Sequence, residues 1–450
     1  MFVDTADIFK AYDVRGTYPD QIDERVARAV GSAFATFVKT PRVVVARDMR
    51  PSGPSLVAAF SEGVRAVGVD VLDMGLASTD FLYFAAGHLA TPGAMFTASH
   101  NPARYNGIKL CLAGARPIGV DTGLAEIEAM TNTFYEEPAT GTLASSETVD
   151  LTAQWVAHVH SFIDVASLRP LKIVADTANG MGGFIVPKVF AGLPFEVEIM
   201  YEELDGTFPN HPADPLNPAN LVDLQRRVLE VGADIGLAFD GDADRVFLID
   251  ERAEPISGST TTAIVAASLL DRNPGSTVLY NLICSKSVPE VIAEHGGVGV
   301  RTRVGHSYIK QVMADTGAIF GGEHSGHYYY RNNFCADSGI ITAMLVLELL
   351  SKASAPLSTL VAPFERYAAS GEINTEVASP AATVARITAL LKGRGVDVDE
   401  LDGLSAEFGT WRFNLRPSNT EPLLRLNVEA LDAAECDGHV HEVLAMIKEA

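Results

Sequence analysis

Four short runs hold most of the groups in this chain that could do chemistry. In TASHNPARYNGIKL (97–110) the hydroxyl of Ser99 stands beside the imidazole of His100 and the amide of Asn101, and the cation Lys109 follows. Such a set could serve covalent phosphoryl transfer through the serine, although Ser-His-Asn-Pro is also the composition of an ordinary turn. In DGDADR (240–245) the carboxylates Asp240, Asp242 and Asp244 alternate, so a curved loop could aim all three at one hard cation. Mg²⁺ suits that arrangement, because it leaves room for a phosphate oxygen as a further ligand. An EF-hand reading places Glu251 at the twelfth position, but Arg245 sits at the sixth, where glycine is required, and the flanks read as strands. A solvated acidic turn is the remaining alternative. Three carboxylates this close repel without a cation, and apolar flanks argue against solvation, so metal is favoured. In FGGEHSGH (320–327) Glu323 and Ser325 could hydrogen-bond neighbouring sugar hydroxyls, and the histidines could move protons. A plain glycine-rich loop has the same composition. In RPSNTEP (416–422) Arg416, Ser418, Asn419 and Thr420 offer a fork, two hydroxyls and an amide. That set could hold a phosphate that is not transferred, or form an ordinary turn. Arg15 in AYDVRG and His306 and Lys310 in GHSYIK are further candidates that, singly, read as surface or packing features.

The elements that position these runs follow an α/β pattern from residue 42 onward. RVVVAR (42–47) reads as a buried strand, and a helix around 54–67 carries Leu56, Val57, Phe60, Val64 and Val67 on one face. VDVLDMG (69–75) and GAMFTAS (93–99) read as strands. A second unit runs from LKIVAD (171–176) through a helix near 182–191 and another at Leu221–Val231 to the strand DIGLAFD (234–240). A third opens at TVLYNLIC (277–284), followed by the helix SVPEVIAEH and the strand GVGVRTR. These units share the order strand, polar loop, helix, an order common to many α/β folds. The last segment differs: a helix TVARITALLKG, strands EFGTWRFNLR and LLRLNVEA, and a closing amphipathic helix form a small α+β domain. Polar stretches near 148, 252 and 366 divide the chain into four domains, 1–148, 149–252, 253–366 and 367–450.

Composition removes several function classes. The chain has 450 residues, with 57 acidic against 34 basic side chains, a formal charge of −23. No run of Lys or Arg offsets that field, which excludes nucleic-acid or anionic-membrane partners as a first reading. The longest apolar stretch, residues 340–347, is about half of what spans a bilayer. Acids stand where a signal peptide would carry basic and then apolar residues, and the four cysteines show no zinc or disulfide spacing. A cytoplasmic, reducing setting is expected, with no obligate protein partner evident.

Taken together, TASHNP with NGIK, DGDADR, GEHSGH and RPSNTEP, in that order, resemble the α-D-phosphohexomutase superfamily, its phosphomannomutase/phosphoglucomutase branch in particular, over essentially the whole chain. The resemblance implies three similar α/β domains of mixed sheet and a C-terminal α+β domain like the TATA-box-binding-protein fold, around one cleft. It implies that Ser99 carries the transferred phosphoryl group, that Asp240, Asp242 and Asp244 hold Mg²⁺ with it, and that Arg245 orients both phosphoserine and substrate. By the same resemblance Glu323 and Ser325 contact the sugar O3 and O4, and Arg416, Ser418, Asn419 and Thr420 grip the stationary phosphate. Lys109, His100, Arg15, Lys310 and His327 match cleft positions with acid/base or electrostatic roles, and His306 joins the substrate-binding set. The expected cycle interconverts hexose 1-phosphate and 6-phosphate through a 1,6-bisphosphate, which also serves as activator. Mannose is the first choice of sugar, with glucose activity too. Phosphoglucosamine mutase is the alternative. A serine-nucleophile metallophosphatase and a non-catalytic sugar-phosphate or Ca²⁺-binding protein are the rivals from other classes.

Overall fold

The computed structural model describes residues 5–417 and 423–448. Contacts divide the chain into two compact units, one of residues 1–256, 313–319 and 325–360, the other of 257–312, 320–324 and 361–450.

The first unit is built on two mixed sheets. In one, the strands run in the order Val14–Thr17, Tyr105–Leu112, Gly93–Phe96, Arg42–Arg47, Asp70–Leu76 and Ser146–Thr148. Arg42–Arg47 lies parallel to both its neighbours, and Tyr105–Leu112 is antiparallel to Gly93–Phe96 and to Val14–Thr17. Val43, Val44 and Val45 are fully buried, as a strand covered on both faces requires. Helices Glu24–Val38 and Gly53–Ala66 supply one cover, where Phe60 meets Phe34 at 6.1 Å and Phe96 edge-on at 5.3 Å. Each such buried ring contributes about 1.5–3 kcal/mol of apolar burial. The second sheet runs Pro255–Ile256, Val246–Ile249, Ile235–Phe239, Lys172–Asp176, Glu196–Met200. Phe239 pairs with Val246 in an antiparallel hairpin, so residues 240–245 are the whole of its connecting loop.

In the second unit, Val298–Thr302, Thr277–Asn281 and Phe320–Gly322 are parallel, with helices Gly258–Arg272 and Ser287–Glu294 packed together beside them. The chain then forms an antiparallel sheet in the order Ala368–Glu376, Leu423–Ala430, Arg412–Pro417, Leu404–Glu407, Val398–Asp399. Helices Pro380–Gly393 and Ala433–Lys448 bury Ile387, Leu391, Val443 and Ile447 with this sheet in one core. Among the described residues no single helix is long and apolar enough to cross a membrane.

Several elements differ from expectation. The strand at 93 ends at Phe96, before Ser99, because the Thr97 Oγ1 accepts the Ser99 backbone N–H at 2.9 Å and turns the chain. TVLYNLIC is a strand only to Asn281. EFGTWRFNLR is two strands joined by a hairpin turn, in which Gly409 takes φ +82°. The strand Ala368–Glu376 has a weak sequence signal, since among its alternating exposed and half-buried residues, AASGEINTE, only Ile373 and Thr375 are β-branched.

Candidate active site

Ser99 lies at the end of its turn with φ +49°, a left-handed conformation that non-glycine residues adopt rarely. Its Oγ donates to Asp240 Oδ2 at 2.9 Å, and stands 3.3 Å from His100 Nδ1 and 3.4 Å from Arg245 Nη2. Two loops from different sheets thus meet at one hydroxyl. Their approach requires glycine at 241, since a Cβ there would come within 2.4 Å of the Ser99 carbonyl oxygen.

The hairpin loop gathers Asp240, Asp242 and Asp244, all buried, with one ligand oxygen of each within 4.8 Å of the others. Lys109 Nζ donates to Asp242 Oδ2 and Asp244 Oδ2, both at 2.8 Å. Arg245 turns back on the loop, its Nε donating to Asp240 Oδ2 at 2.9 Å and its backbone N–H to Asp240 Oδ1 at 3.2 Å. The remaining oxygens, Asp242 Oδ1 and Asp244 Oδ1, are buried and meet no donor in the protein. Burying an unpaired anionic oxygen costs several kcal/mol, and a hard cation offsets that cost, so the donor set fits a bound metal ion.

The titration of the cluster follows from charge. Burial raises the Asp240 carboxyl, against Arg245, and the charges of Asp244 and Asp242 raise it further. For Asp242 burial pushes up too, but the Lys109 charge and hydrogen bond and the Thr79 hydroxyl hold it well down. Burial would discharge Lys109, yet Asp242 and Asp244 keep it charged. Burial, Arg245 and Arg15 push His100 down to about 2, so it is neutral and its Nδ1 accepts from Arg245 Nη2 at 2.5 Å. Against its burial, the Asp244 charge and the Asp337 hydrogen bond raise His327. His327 Nδ1 donates to Asp337 Oδ2 at 2.8 Å and lies 3.9 Å from Asp244 Oδ1, which leaves Nε2 for a ligand. Arg15 lies half-exposed in its edge strand, opposite Gly107, with Nη2 on Asp13 Oδ2 at 2.6 Å.

The first unit therefore brings together Ser99, His100, Lys109, Asp240, Asp242, Asp244, Arg245 and His327. The sequence reading missed two residues here. Thr79 Oγ1 donates to Asp242 Oδ2 at 2.5 Å from the first turn of helix Thr79–His88. Asp337 is returned to His327 by a hairpin in which Tyr329 pairs with Asp337. A threonine after a strand carries no signal by itself, whereas an Asp just past an aromatic strand following GH was a legible clue.

The chain passes to the second unit for residues 320–324 and returns at Ser325, which is half-buried. In the second unit Glu323 is 2% exposed, and its Oε1 accepts the Gly305 N–H at 3.3 Å. Gly258, at the start of its helix, allows the loop to pack on it, since a Cβ there would meet the His324 carbonyl oxygen at 2.3 Å. Ser259 Oγ accepts the Ser285 N–H at 2.9 Å and lies 2.9 Å from His324 Nδ1. Lys310 is buried, and Arg416 Nη2 donates to Glu372 Oε2 at 3.0 Å. Ser418, Asn419 and Thr420 lie outside the described residues, as does the side chain of His306.

Comparison with known proteins identifies the family. Four family models match in order: phosphoglucomutase/phosphomannomutase alpha/beta/alpha domain I over residues 6–137, domain II over 153–254, domain III over 257–367, and the C-terminal domain over 372–446. Phosphohexose mutases of Xanthomonas campestris are 41% identical over 447 residues, covering 99% of this chain and all of theirs. The phosphomannomutase of Escherichia coli K12 is 38% identical, covering 98% of this chain and 99% of its own. A crystal structure of a phosphoglucomutase/phosphomannomutase family protein from Burkholderia thailandensis superposes with a TM-score of 0.91 at 32% identity, covering 100% of this chain and 98% of that one. A match of this extent means that the chain belongs to the phosphoglucomutase/phosphomannomutase family of isomerases, the phosphotransferases that interconvert hexose phosphates.

Proposed function

We propose that this enzyme interconverts hexose 1-phosphate and hexose 6-phosphate by way of phospho-Ser99, with mannose as its first substrate and glucose as a second. The observation that carries this reading is the meeting of the Ser99 hydroxyl with a buried aspartate trio that retains two unpaired oxygens. A nucleophile of that kind, beside a cation site and the Arg245 fork, is what phosphoryl transfer needs, because the reaction depends on positioning and charge neutralisation. Asp240, Asp242 and Asp244 would hold Mg²⁺ with an oxygen of the phosphoserine. When bound, the ion neutralises charge on the transferring phosphate.

The chain's own groups supply the rest. With all three aspartates ionised, their three negative charges face two positive ones, Lys109 and Arg245, so the loop without metal carries a net charge of −1. A phosphoserine adds about two negative charges, which these cations and the metal site must balance. Phospho-Ser99 gives its phosphoryl group to the free O6 or O1 of the bound sugar phosphate. The P–Oγ bond breaks as the new P–O bond forms, and the sugar hydroxyl proton must leave. His327 is the group assigned to that proton, with Nδ1 anchored on Asp337. The 1,6-bisphosphate then turns end for end, and its other phosphate returns to Ser99. Glu323 and Ser325 would read the O3 and O4 hydroxyls that mannose and glucose share, with Lys310 and His306 as further contacts. Arg416, Ser418, Asn419 and Thr420 would hold the phosphate that stays. Added hexose 1,6-bisphosphate would reload an unphosphorylated Ser99, and so act as activator. Each of the segments 1–148, 149–252, 253–366 and 367–450 would contribute one of these loops.

The test is a paired coupled assay on mannose 1-phosphate and glucose 1-phosphate with Mg²⁺ and a trace of glucose 1,6-bisphosphate, and with Ser99→Ala as control. Comparable kcat/KM values support dual specificity. A ratio above a hundredfold, about 2.7 kcal/mol, means that a group senses C2. Ser99→Ala should lose several orders of magnitude in kcat while still binding substrate. Near-full activity would sink the nucleophile assignment. Release of free phosphate in step with substrate loss would turn the reading to a phosphatase.

A further inference from the structure

Arg50 has no place in the mechanism above, yet it is a charged residue buried without any exposure directly behind Ser99. All five of its guanidinium donors are used. Nε donates to Asp48 Oδ2 at 3.2 Å, Nη1 to the carbonyls of Pro102 at 3.0 Å and Tyr105 at 2.9 Å, and Nη2 to the carbonyls of Ser99 at 2.9 Å and Asn101 at 2.7 Å. Asp48 fixes the fork from the other side, its Oδ1 accepting the Arg50 backbone N–H at 2.9 Å. One planar cation thus ties down four carbonyls of the loop 99–105, and closes that loop around itself. The side facing away is also closed. A Cβ at Gly206 would meet Arg50 Cα at 2.6 Å, and the Phe208 ring covers the guanidinium at 5.3 Å.

The consequence falls on Ser99. Its φ of +49° is strained for a serine, and such conformations persist only where the surroundings over-determine them. The Ser99 carbonyl is held by Arg50 Nη2 and confined by Gly241, while its N–H is held by Thr97 Oγ1. With both sides of the residue pinned, the backbone is held where Oγ stands beside Asp240 and Arg245. We propose that Arg50 is a positioning residue, which holds the Ser99 loop in its strained form and thereby aims the hydroxyl at the metal loop. This inference rests on Ser99 being the nucleophile. Lysine cannot replace the fork, because its three donors sit on a single atom and cannot reach four carbonyls spread in a plane.

The experiment uses the full chain with Arg50→Lys, and with Ser99→Ala alongside. Phosphoryl transfer from labelled glucose 1,6-bisphosphate to the protein is timed, and kcat, KM and the thermal midpoint are measured. Arg50→Lys should slow the transfer and kcat together by about a hundredfold, the effect of misplacing a reacting atom by about 1 Å, while KM stays within threefold. Transfer at the wild-type rate, or a loss confined to KM, would overturn the role. Should Arg50→Lys not fold, Asp48→Asn loosens the same fork more gently. It is expected to slow transfer about tenfold, and an unchanged rate would count against the proposal equally. Ser99→Ala separates the two readings. If it still takes up label and turns over, the nucleophile assignment falls and this role with it. An inert Ser99→Ala beside a fully active Arg50→Lys removes the positioning role alone.

Discussion

Replacing Lys109 by methionine should make the protein bind Mg²⁺ more tightly while it turns over more slowly. Lys109 Nζ sits 2.8 Å from one oxygen each of Asp242 and Asp244, with its side chain 14% exposed. At an effective dielectric of about 20, each contact is worth about 6 kcal/mol of gross Coulomb attraction. Desolvation of the three ions cancels most of that sum. What remains is the cost of removing one partner from a buried pair, about 3–5 kcal/mol, because two carboxylates are left uncompensated. The Asp242 carboxyl loses what holds it down, and its pKa rises. A divalent cation offsets the same deficit without competition from the ammonium. The Mg²⁺ dissociation constant should therefore fall by about ten- to a hundredfold, each factor of ten being about 1.4 kcal/mol. Calorimetric titration of Mg²⁺ and urea unfolding in EDTA and in excess Mg²⁺ read the two effects separately. Lys109→Met should unfold at lower urea than wild type in EDTA and recover most of the difference in Mg²⁺. Equal midpoints in EDTA together with an unchanged Mg²⁺ affinity would refute the claim that Lys109 occupies the charge deficit of the metal loop.

Two further outcomes follow from other contacts. On the phosphate-holding role proposed for it, Arg416→Ala should raise KM for the sugar phosphate by about ten- to a hundredfold with little change in kcat, the loss of a charge-assisted contact of about 1.5–3 kcal/mol; an unchanged KM would take Arg416 out of the phosphate site. His211 donates Nδ1 to the Pro212 carbonyl and Nε2 to Asp176 Oδ2 at 3.0 Å, and against burial this carboxylate raises its pKa above 6.5. A raised histidine stabilises the fold fully below its unfolded pKa and loses that contribution as pH rises through the folded value. His211→Asn should thus cost about 1 kcal/mol near pH 5.5, after solvent screening, and progressively less above the folded pKa, as urea midpoints across pH will show.

Much of the site was legible in the chain because its chemistry is local. DGDADR reads as a cation loop from composition, and the hairpin Ile235–Phe239 to Val246–Ile249 curves it as three alternating carboxylates require. Apolar β-branched runs such as Val43 to Val45 announced the buried parallel strands for the same local reason, one residue type repeated over one short element. Tertiary structure decided what no window of sequence contains. Lys109 neutralises Asp242 and Asp244 across 133 and 135 residues, and Thr79 reaches Asp242 across 163. The left-handed turn at Ser99 follows an apparent strand, and its strain is held by Arg50, 49 residues earlier, whose role depends on four carbonyls that any residues at those positions would present. Backbone oxygens carry no side-chain signature, so a guanidinium that recruits them is invisible until the loop has closed around it. Residue types therefore determined which groups could act, and the packing of distant loops decided where each points and what charge it carries.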